Sequence, residues 1–220
     1  MEVFVKLVDK YGEVFLQGLY YTLLLSLIAV AAGTVLGALV ALARMSRIRP
    51  LKWLTSGYIE LIRGTPALLQ LFFFYLILPK WLSSINPSKF ACVAVALVIN
   101  SAAYVSEIIR SGIQAVDRGQ AEAGRSLGLS KRQTMLRVVM PQAVKNILPA
   151  LGNEFVTVIK ETSLASTFFV GDLMSAFRTV QGATYLVIEP LVVVGVIYLV
   201  LTYTLSKAVL RFERRLKASD

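Results

Sequence analysis

The chain has 220 residues, of which 56% are hydrophobic and only 16% charged, with a formal net charge of +10. A soluble domain carries roughly 25% charged residues, so an ordinary soluble enzyme, a disordered chain and a disulfide scaffold are all excluded. There is no His and a single Cys, Cys92. Ser-His triads, imidazole ligands, Cys-cluster metal sites and internal disulfides are therefore excluded too. What remains is an integral membrane protein, all-α, folded as one transmembrane domain over 1–220.

A spanning helix needs about 20 mostly apolar residues. Five segments qualify, at about 19–43, 54–78, 90–109, 147–170 and 186–205. The first has no charge. The second contains Glu60 and Arg63, the third Glu107, the fourth Glu154, Lys160 and Glu161, and the fifth Glu189 beside Pro190. Residues 1–17 are mixed in charge and lead into a run long enough to span, so they do not read as a signal peptide. Gly33 and Gly37 form a small-xxx-small pair, read as close helix packing within the subunit.

Basic residues alternate between the connections. The first loop carries Arg44, Arg47, Arg49 and Lys52 with no acid. The third carries Arg110, Arg118, Arg125, Lys131, Arg132, Arg137 and Lys145, and the tail Lys207, Arg211, Arg214, Arg215 and Lys217. The intervening segments are poor in net positive charge. The positive-inside rule then puts the N-terminus outside and the C-terminus inside. Five spans fit that parity. Bases scattered over loops do not form a nucleic-acid face, so no nucleic-acid partner is expected; the lipid bilayer is the expected surrounding.

The loop over 111–146 has helix punctuation. Asp117 can cap a helix through Ala121, Glu122, Ala123 and Arg125, ended by Gly128. Ser130 and Gln133 form a capping box that starts a second helix, expected to stop at Pro141. The pair reads either as a docking surface or as two amphipathic helices on the membrane face. Gly119 and Gly124 have the spacing of a phosphate-binding loop. That loop needs Lys where Arg125 stands, and a preceding strand. No nucleotide site is expected in this chain.

Together these residues resemble the permease subunits of bacterial ATP-binding-cassette importers, in the polar amino acid uptake branch. Glu122-Ala123, then Gly128, then Pro141 resembles their EAA loop. Residues 103–113 followed by Gly119-Gln120-Ala121-Glu122-Ala123, Arg63-Gly64-Thr65-Pro66, and Lys160-Glu161-Thr162-Ser163-Leu164 extend the similarity from about 18 to 210. Two departures are Gly124 for the motif's second Ala and Glu161 for its usual Asp. The resemblance implies a second permease subunit, either a homodimer partner or a paralogue. It also implies two ATPase subunits that bind the ATP and Mg, and an extracytoplasmic amino acid-binding protein. It assigns Gln120, Ala121, Glu122, Ala123, Arg125 and Gly128 to coupling with the ATPase. No catalytic residue, metal or cofactor is expected in the chain itself.

Ionisable residues inside a span cost roughly 2.5–3.5 kcal/mol on insertion scales, so each needs a partner or a use. Glu107 and Arg110, three apart, read as a structural pair. Glu60 and Arg63 have the same spacing, but Gly64-Thr65-Pro66 interrupts the helix just after them. Substrates bind near such interruptions, which nominates Arg63, Gly64 and Thr65 for an amino acid carboxylate. In the fourth span Asn153, Glu154, Thr157, Lys160, Glu161, Thr162 and Ser163 are too many polar groups for a purely structural helix. Glu154 and Glu161 share a face, and Lys160 is expected to pair elsewhere, with Glu60 as one partner. Asn153, Glu154, Thr157, Glu161 and Ser163 are the binding candidates there, with Asn100 and Tyr104 as lining residues. For Asn100, Tyr104 and Gln70, interhelical hydrogen bonding is an equal alternative. Four acids against Arg63 and Lys160 favour a basic substrate: arginine, lysine or histidine. The rival reading is a secondary transporter coupled to protons or sodium, which predicts an internal repeat that the two halves lack.

Overall fold

The computed structural model describes residues 2–217, and those residues are helical with short connections. The first helix, α1, runs Glu2–Met45. At 1.5 Å per residue its 44 residues measure roughly 66 Å, about twice the hydrocarbon thickness. The mixed-charge start is thus a helical extension of the first span rather than a loop. One side of it is apolar, and Leu7 and Phe15 are buried there.

The second expected span is not one helix. It is divided into α2, Arg49–Arg63, and α3, Ala67–Trp81, bent by 108° at the break. Pro66 explains the bend: it cannot donate to the ladder, and its ring disfavours helical geometry at Thr65. The third span is continuous as α4, Lys89–Gln114, with Ser88 accepting from the Ala91 N–H as its cap. α1 and α4 form the centre of the bundle. A Cβ on Gly33 would stand 2.9 Å from the Ser101 Cβ, and one on Gly37 2.8 Å from the Ala102 carbonyl oxygen. The two glycines therefore let α1 and α4 touch within the subunit.

The connection that follows contains α5, Arg118–Ser126, and a single turn α6, Lys131–Thr134. The second loop helix does not stop at Pro141. A five-residue π turn, Met135–Val139, carries the chain straight into α7, Met140–Glu161. Pro141 lies in the first α-helical turn after that π turn.

The fourth expected segment is not one α-helix either. α7 stops at Glu161, and Thr162–Phe168 winds as a tighter 3₁₀ helix. Ser and Thr compete for backbone carbonyls; the Thr162 hydroxyl donates to the Ile159 carbonyl at 2.7 Å. Phe169 and Gly171 then take left-handed backbone angles. The stretch read as a loop is instead α8, Leu173–Thr184, capped by Asp172, which accepts from the Met174 N–H. The fifth expected segment extends past residue 205 as α9, Ile188–Lys217, so the basic tail is helical.

Among the described residues, α1, α4 and α9 are long and apolar enough to cross a membrane, and the bent α2–α3 pair counts as a fourth span if taken together. α7 carries Lys145, Glu154, Lys160 and Glu161 and is not among them.

Candidate functional site

The break between α2 and α3 leaves backbone carbonyls without helical donors. Gln70, one turn into α3, supplies them. Its Nε2 lies 2.7 Å from the Ile62 carbonyl, 2.9 Å from the Thr65 hydroxyl and 3.1 Å from the Thr65 carbonyl. Its Oε1 accepts from Asn100 Nδ2 of α4 at 2.8 Å. Gln70 and Asn100 are both buried. The interruption is thereby fixed against α4 by two amides, and the Asn100 side chain is engaged in that fixing. Thr65 turns its hydroxyl back to the Leu61 carbonyl at 2.8 Å.

Arg63 and Gly64 end α2 in the open. The Arg63 guanidinium stands 5.5 Å from the ring centroid of Tyr104 on α4, within cation–π range. Among the described residues Glu60 pairs neither with Arg63 nor with Lys160, and both Glu60 and Lys160 are exposed. The expected Lys160–Glu60 bridge is absent because neither side chain turns into the bundle.

On α7, Glu154 is half-buried and accepts from the Ser101 hydroxyl of α4 at 3.2 Å. Glu161 lies two turns on along the same face, also half-buried. Asn153 and Thr157 are exposed, and the Thr157 hydroxyl donates to the Asn153 carbonyl at 3.1 Å. Ser163 sits half-buried in the 3₁₀ turn. The structure thus gathers Thr65 with Gln70 and Asn100, Arg63 with Tyr104, and Ser101 with Glu154. It leaves Asn153 and Thr157 open on one face of the isolated subunit.

Glu107 is held from two sides. Arg110 bridges it from the next turn, as the spacing predicts, and Arg44 Nη1 of α1 donates to it at 2.5 Å. Arg110 also donates to Gln114 at 2.5 Å. Sequence spacing exposes the first partner and hides the second, because Arg44 is sixty-three positions away.

α5 projects from the α4–α7 connection. Asp117 accepts from the Gly119 N–H at 2.7 Å. Gln120, Glu122, Ala123 and Arg125 are exposed, while Ala121 is half-buried against the apolar cluster of Val116, Val139, Ala143 and Ile147. Gly124 is buried under Thr134 and Val138, where an added Cβ would meet Thr134 at 3.2 Å. Gly128 ends the element at φ +86°, an angle that favours glycine. An open, polar cleft is lined by Glu122, Arg125, Ser126, Gly128, Ser130 and Lys131. The Ser130–Gln133 capping box is complete. Gln142 of α7 donates to Gln120 of α5 at 3.2 Å and so ties the projecting helix to α7.

Two further features escape the sequence reading. One is α8, whose signal is present in Asp172 followed by Leu173, Ala176, Phe177 and Val180 at helical spacing. The other is a buried polar knot. The Leu173 N–H donates to the Thr22 hydroxyl at 3.0 Å, and Ser175 donates to Asp172. It fastens α8 to α1 where Gly18 lets the two backbones close in.

Residues 33–218 match the family described as "Binding-protein-dependent transport system inner membrane component". The chain is 41% identical over 205 residues to the arginine transport system permease protein ArtQ of Bacillus subtilis (strain 168), covering 93% of each chain. It is 41% identical over 207 residues to the probable glutamine ABC transporter permease protein GlnM of the same strain, covering 94% of this chain and 95% of that one. To the L-cystine transport system permease protein TcyB, again of that strain, it is 39% identical over 203 residues, covering 90% and 85%. Among solved structures, an amino acid ABC transporter crystallised with histidines aligns at a TM-score of 0.91 and 47% identity, over 94% of this chain and 96% of that one. The MetNI methionine ABC transporter aligns at a TM-score of 0.74 and 18% identity, over 92% of this chain and 96% of that one, and shares the fold. The all-helical bundle, the bent α2–α3 pair and the match over residues 33–218 lead to one conclusion: this chain belongs to the family of inner-membrane components of binding-protein-dependent transport systems, a multi-pass permease subunit of the ABC type whose ATPase is a separate polypeptide.

Proposed function

We propose that the chain forms half of the translocation pore of an ATP-driven importer of polar amino acids. In this reading it has five spans, the N-terminus outside and the C-terminus inside, with the bent α2–α3 pair and the α7 segment as the second and fourth spans. A second permease subunit completes the pore, two ATPase subunits dock beneath α5, and an extracytoplasmic binding protein delivers the substrate. The relatives named for arginine, glutamine and cystine transport support the substrate class.

The observation that carries the reading is the polar face of α7. Asn153, Thr157 and Lys160 are exposed, and Glu154 and Glu161 half-buried, on a helix packed against α4. Groups so costly in lipid are kept where a second subunit encloses a watered cavity. Arg63, Gly64 and Thr65 supply its cationic edge, with Tyr104 beneath, and Ser163 lies at its end. Asn100 acts at one remove, by holding the break through Gln70.

The Arg44–Glu107–Arg110 clasp changes the charge count. It removes Glu107 from the substrate balance and leaves three acids, Glu60, Glu154 and Glu161, against two bases, Arg63 and Lys160. The excess falls from two to one per chain and still favours a basic amino acid, with Glu161 as the carboxylate that reads its side-chain charge.

Coupling follows from α5. ATP binding draws the ATPase subunits together, they displace α5 through Gln120, Glu122, Ala123 and Arg125, and the displacement reaches α7 through the continuous Lys131–Glu161 segment. Ala121 and Gly128 hold the shape of the moving part. Rigid elements with two discrete arrangements transmit such a push.

The test is uptake of labelled arginine into proteoliposomes holding the assembled transporter and its binding protein. Uptake is expected to resist excess glutamine. It is expected to fall about tenfold or more in Glu161→Gln, which removes a charged hydrogen-bond acceptor worth roughly 1.5–3 kcal/mol. Uptake that glutamine blocks, or that Glu161→Gln leaves intact, would overturn the basic-substrate assignment.

A further inference from the structure

The junction between α1 and α2 concentrates positive charge. Arg44, Arg47, Arg49 and Lys52 fall within it, and no acid appears before Glu60. Arg44 is taken up by Glu107. Arg47, Arg49 and Lys52 are exposed and, among the described residues, meet no carboxylate. The surroundings are apolar and equally open: Ile48 is 61% exposed, Trp53 79%, Leu54 73% and Leu42 67%. In the first half of α2, Leu51, Thr55 and Ser56 are half-buried while Arg49, Lys52, Trp53 and Leu54 stay exposed, and the Tyr58 hydroxyl ties the helix to α4 by donating to the Ile99 carbonyl at 2.6 Å.

Bare cations interleaved with bare tryptophan and aliphatic side chains define one kind of surroundings. Trp favours the headgroup layer. Arg and Lys lay their stems along apolar surface and extend their charge to its polar border. An acidic protein face would match the cations and leave Ile48, Trp53 and Leu54 in water. A second copy in two-fold contact would set these cations against themselves.

We propose that Arg47, Arg49, Lys52 and Trp53 form an interfacial site for the phosphodiester of an anionic phospholipid. The cations bind the phosphate, and Trp53 and Leu54 lie against the glycerol and upper acyl region. Bound lipid anchors the start of α2, the helix whose other end carries Arg63 and the break. The site does not depend on which substrate is carried.

The test is native mass spectrometry of the assembled transporter, delipidated in detergent and offered equal amounts of phosphatidylglycerol and phosphatidylcholine. Each basic residue near an anionic surface contributes about fivefold in affinity. The wild-type complex is therefore expected to retain phosphatidylglycerol over phosphatidylcholine, and Arg47→Gln/Arg49→Gln/Lys52→Gln to lose that preference by more than tenfold. Arg47→Lys/Arg49→Lys, which keeps charge, is expected to keep it, and an unchanged melting temperature shows that the triple variant is folded. An unchanged lipid ratio in the folded triple variant would overturn the proposal. So would displacement of the lipid by millimolar inorganic phosphate, which would mark a free-anion site. A change of oligomeric state without a change of lipid ratio would assign the patch to a second copy instead.

Discussion

Arg44, in the last turn of α1, reaches the Glu107 carboxylate in the last turns of α4 at 2.5 Å. Arg110 grips the same carboxylate from below. The three side chains are 19–30% exposed, so the acid is shielded without being sealed. The clasp joins the two central helices close to the root of α5.

Removing its centre strands two arginines. Glu107→Gln is expected to destabilise the purified subunit by about 2 kcal/mol, the scale of a hydrogen bond to a charged group. Arg44→Gln is expected to cost less, because Arg110 remains. Thermal unfolding in detergent reads both. Equal melting temperatures for Glu107→Gln and wild type would show that the clasp contributes nothing.

The buried amide pair at the break makes a second prediction. Gln70→Leu leaves the Ile62 and Thr65 oxygens without a donor and Asn100 without an acceptor. Unsatisfied buried polar groups cost roughly 1–3 kcal/mol each. Gln70→Leu is expected to lower the melting temperature clearly, while Gln70→Leu/Asn100→Leu recovers part of the loss because one orphan is removed. A double variant no better than the single would contradict this account.

The glycines of α1 differ in what surrounds them. A Cβ at Gly37 would meet the Ala102 carbonyl oxygen and Val105 at 2.8 Å, while one at Gly12 meets nothing within 4 Å. Gly37→Ala is therefore expected to destabilise by about 1–3 kcal/mol, as overpacking does. Gly12→Ala is expected to be neutral or slightly stabilising, since alanine favours helix. Chemical or thermal unfolding of the two variants side by side decides it.

Much of this architecture is legible in the residues, and each failure has a physical cause. Apolar run length finds the helices α1, α4 and α9, which are long and apolar enough to cross a membrane. Asp117 and the Ser130–Gln133 box mark both loop helices because capping is local chemistry. Pro66 signals the break with its 108° bend, but the Gln70–Asn100 bond that fixes it against α4 spans thirty positions, which no local pattern reports. Pro141 misleads: its sign as a helix breaker is overridden once a π turn delivers it to the first turn of α7. The end of α7 at Glu161 is missed because hydropathy does not register how Thr162 and its neighbours compete for carbonyls. α8 is hidden for the opposite reason, being too short and too polar to register as a span.

The loop helix allows a sharper test of coupling. Gly128 takes φ +86° with open space around it, so Gly128→Ala adds backbone strain and no clash. Left-handed geometry costs a non-glycine residue about 1–2 kcal/mol. Gly128→Ala is expected to weaken substrate-stimulated ATP hydrolysis in the assembled transporter while leaving the complex intact on size-exclusion chromatography. Glu122→Arg, which reverses a charge on the exposed face, is expected to reduce ATPase subunit retention as well. Full stimulation in both variants would remove α5 from the coupling path.

In the proposed function, ATP hydrolysis by a partner, acting through this chain, drives uptake. The most direct measurement is amino acid uptake into proteoliposomes of the assembled transporter with ATP on the side of the ATPase subunits, with and without ionophores that collapse proton and sodium gradients. Accumulation is expected to require ATP and to be unchanged by the ionophores. Accumulation without ATP that vanishes when the gradients collapse would contradict the proposed function and make the protein a secondary transporter.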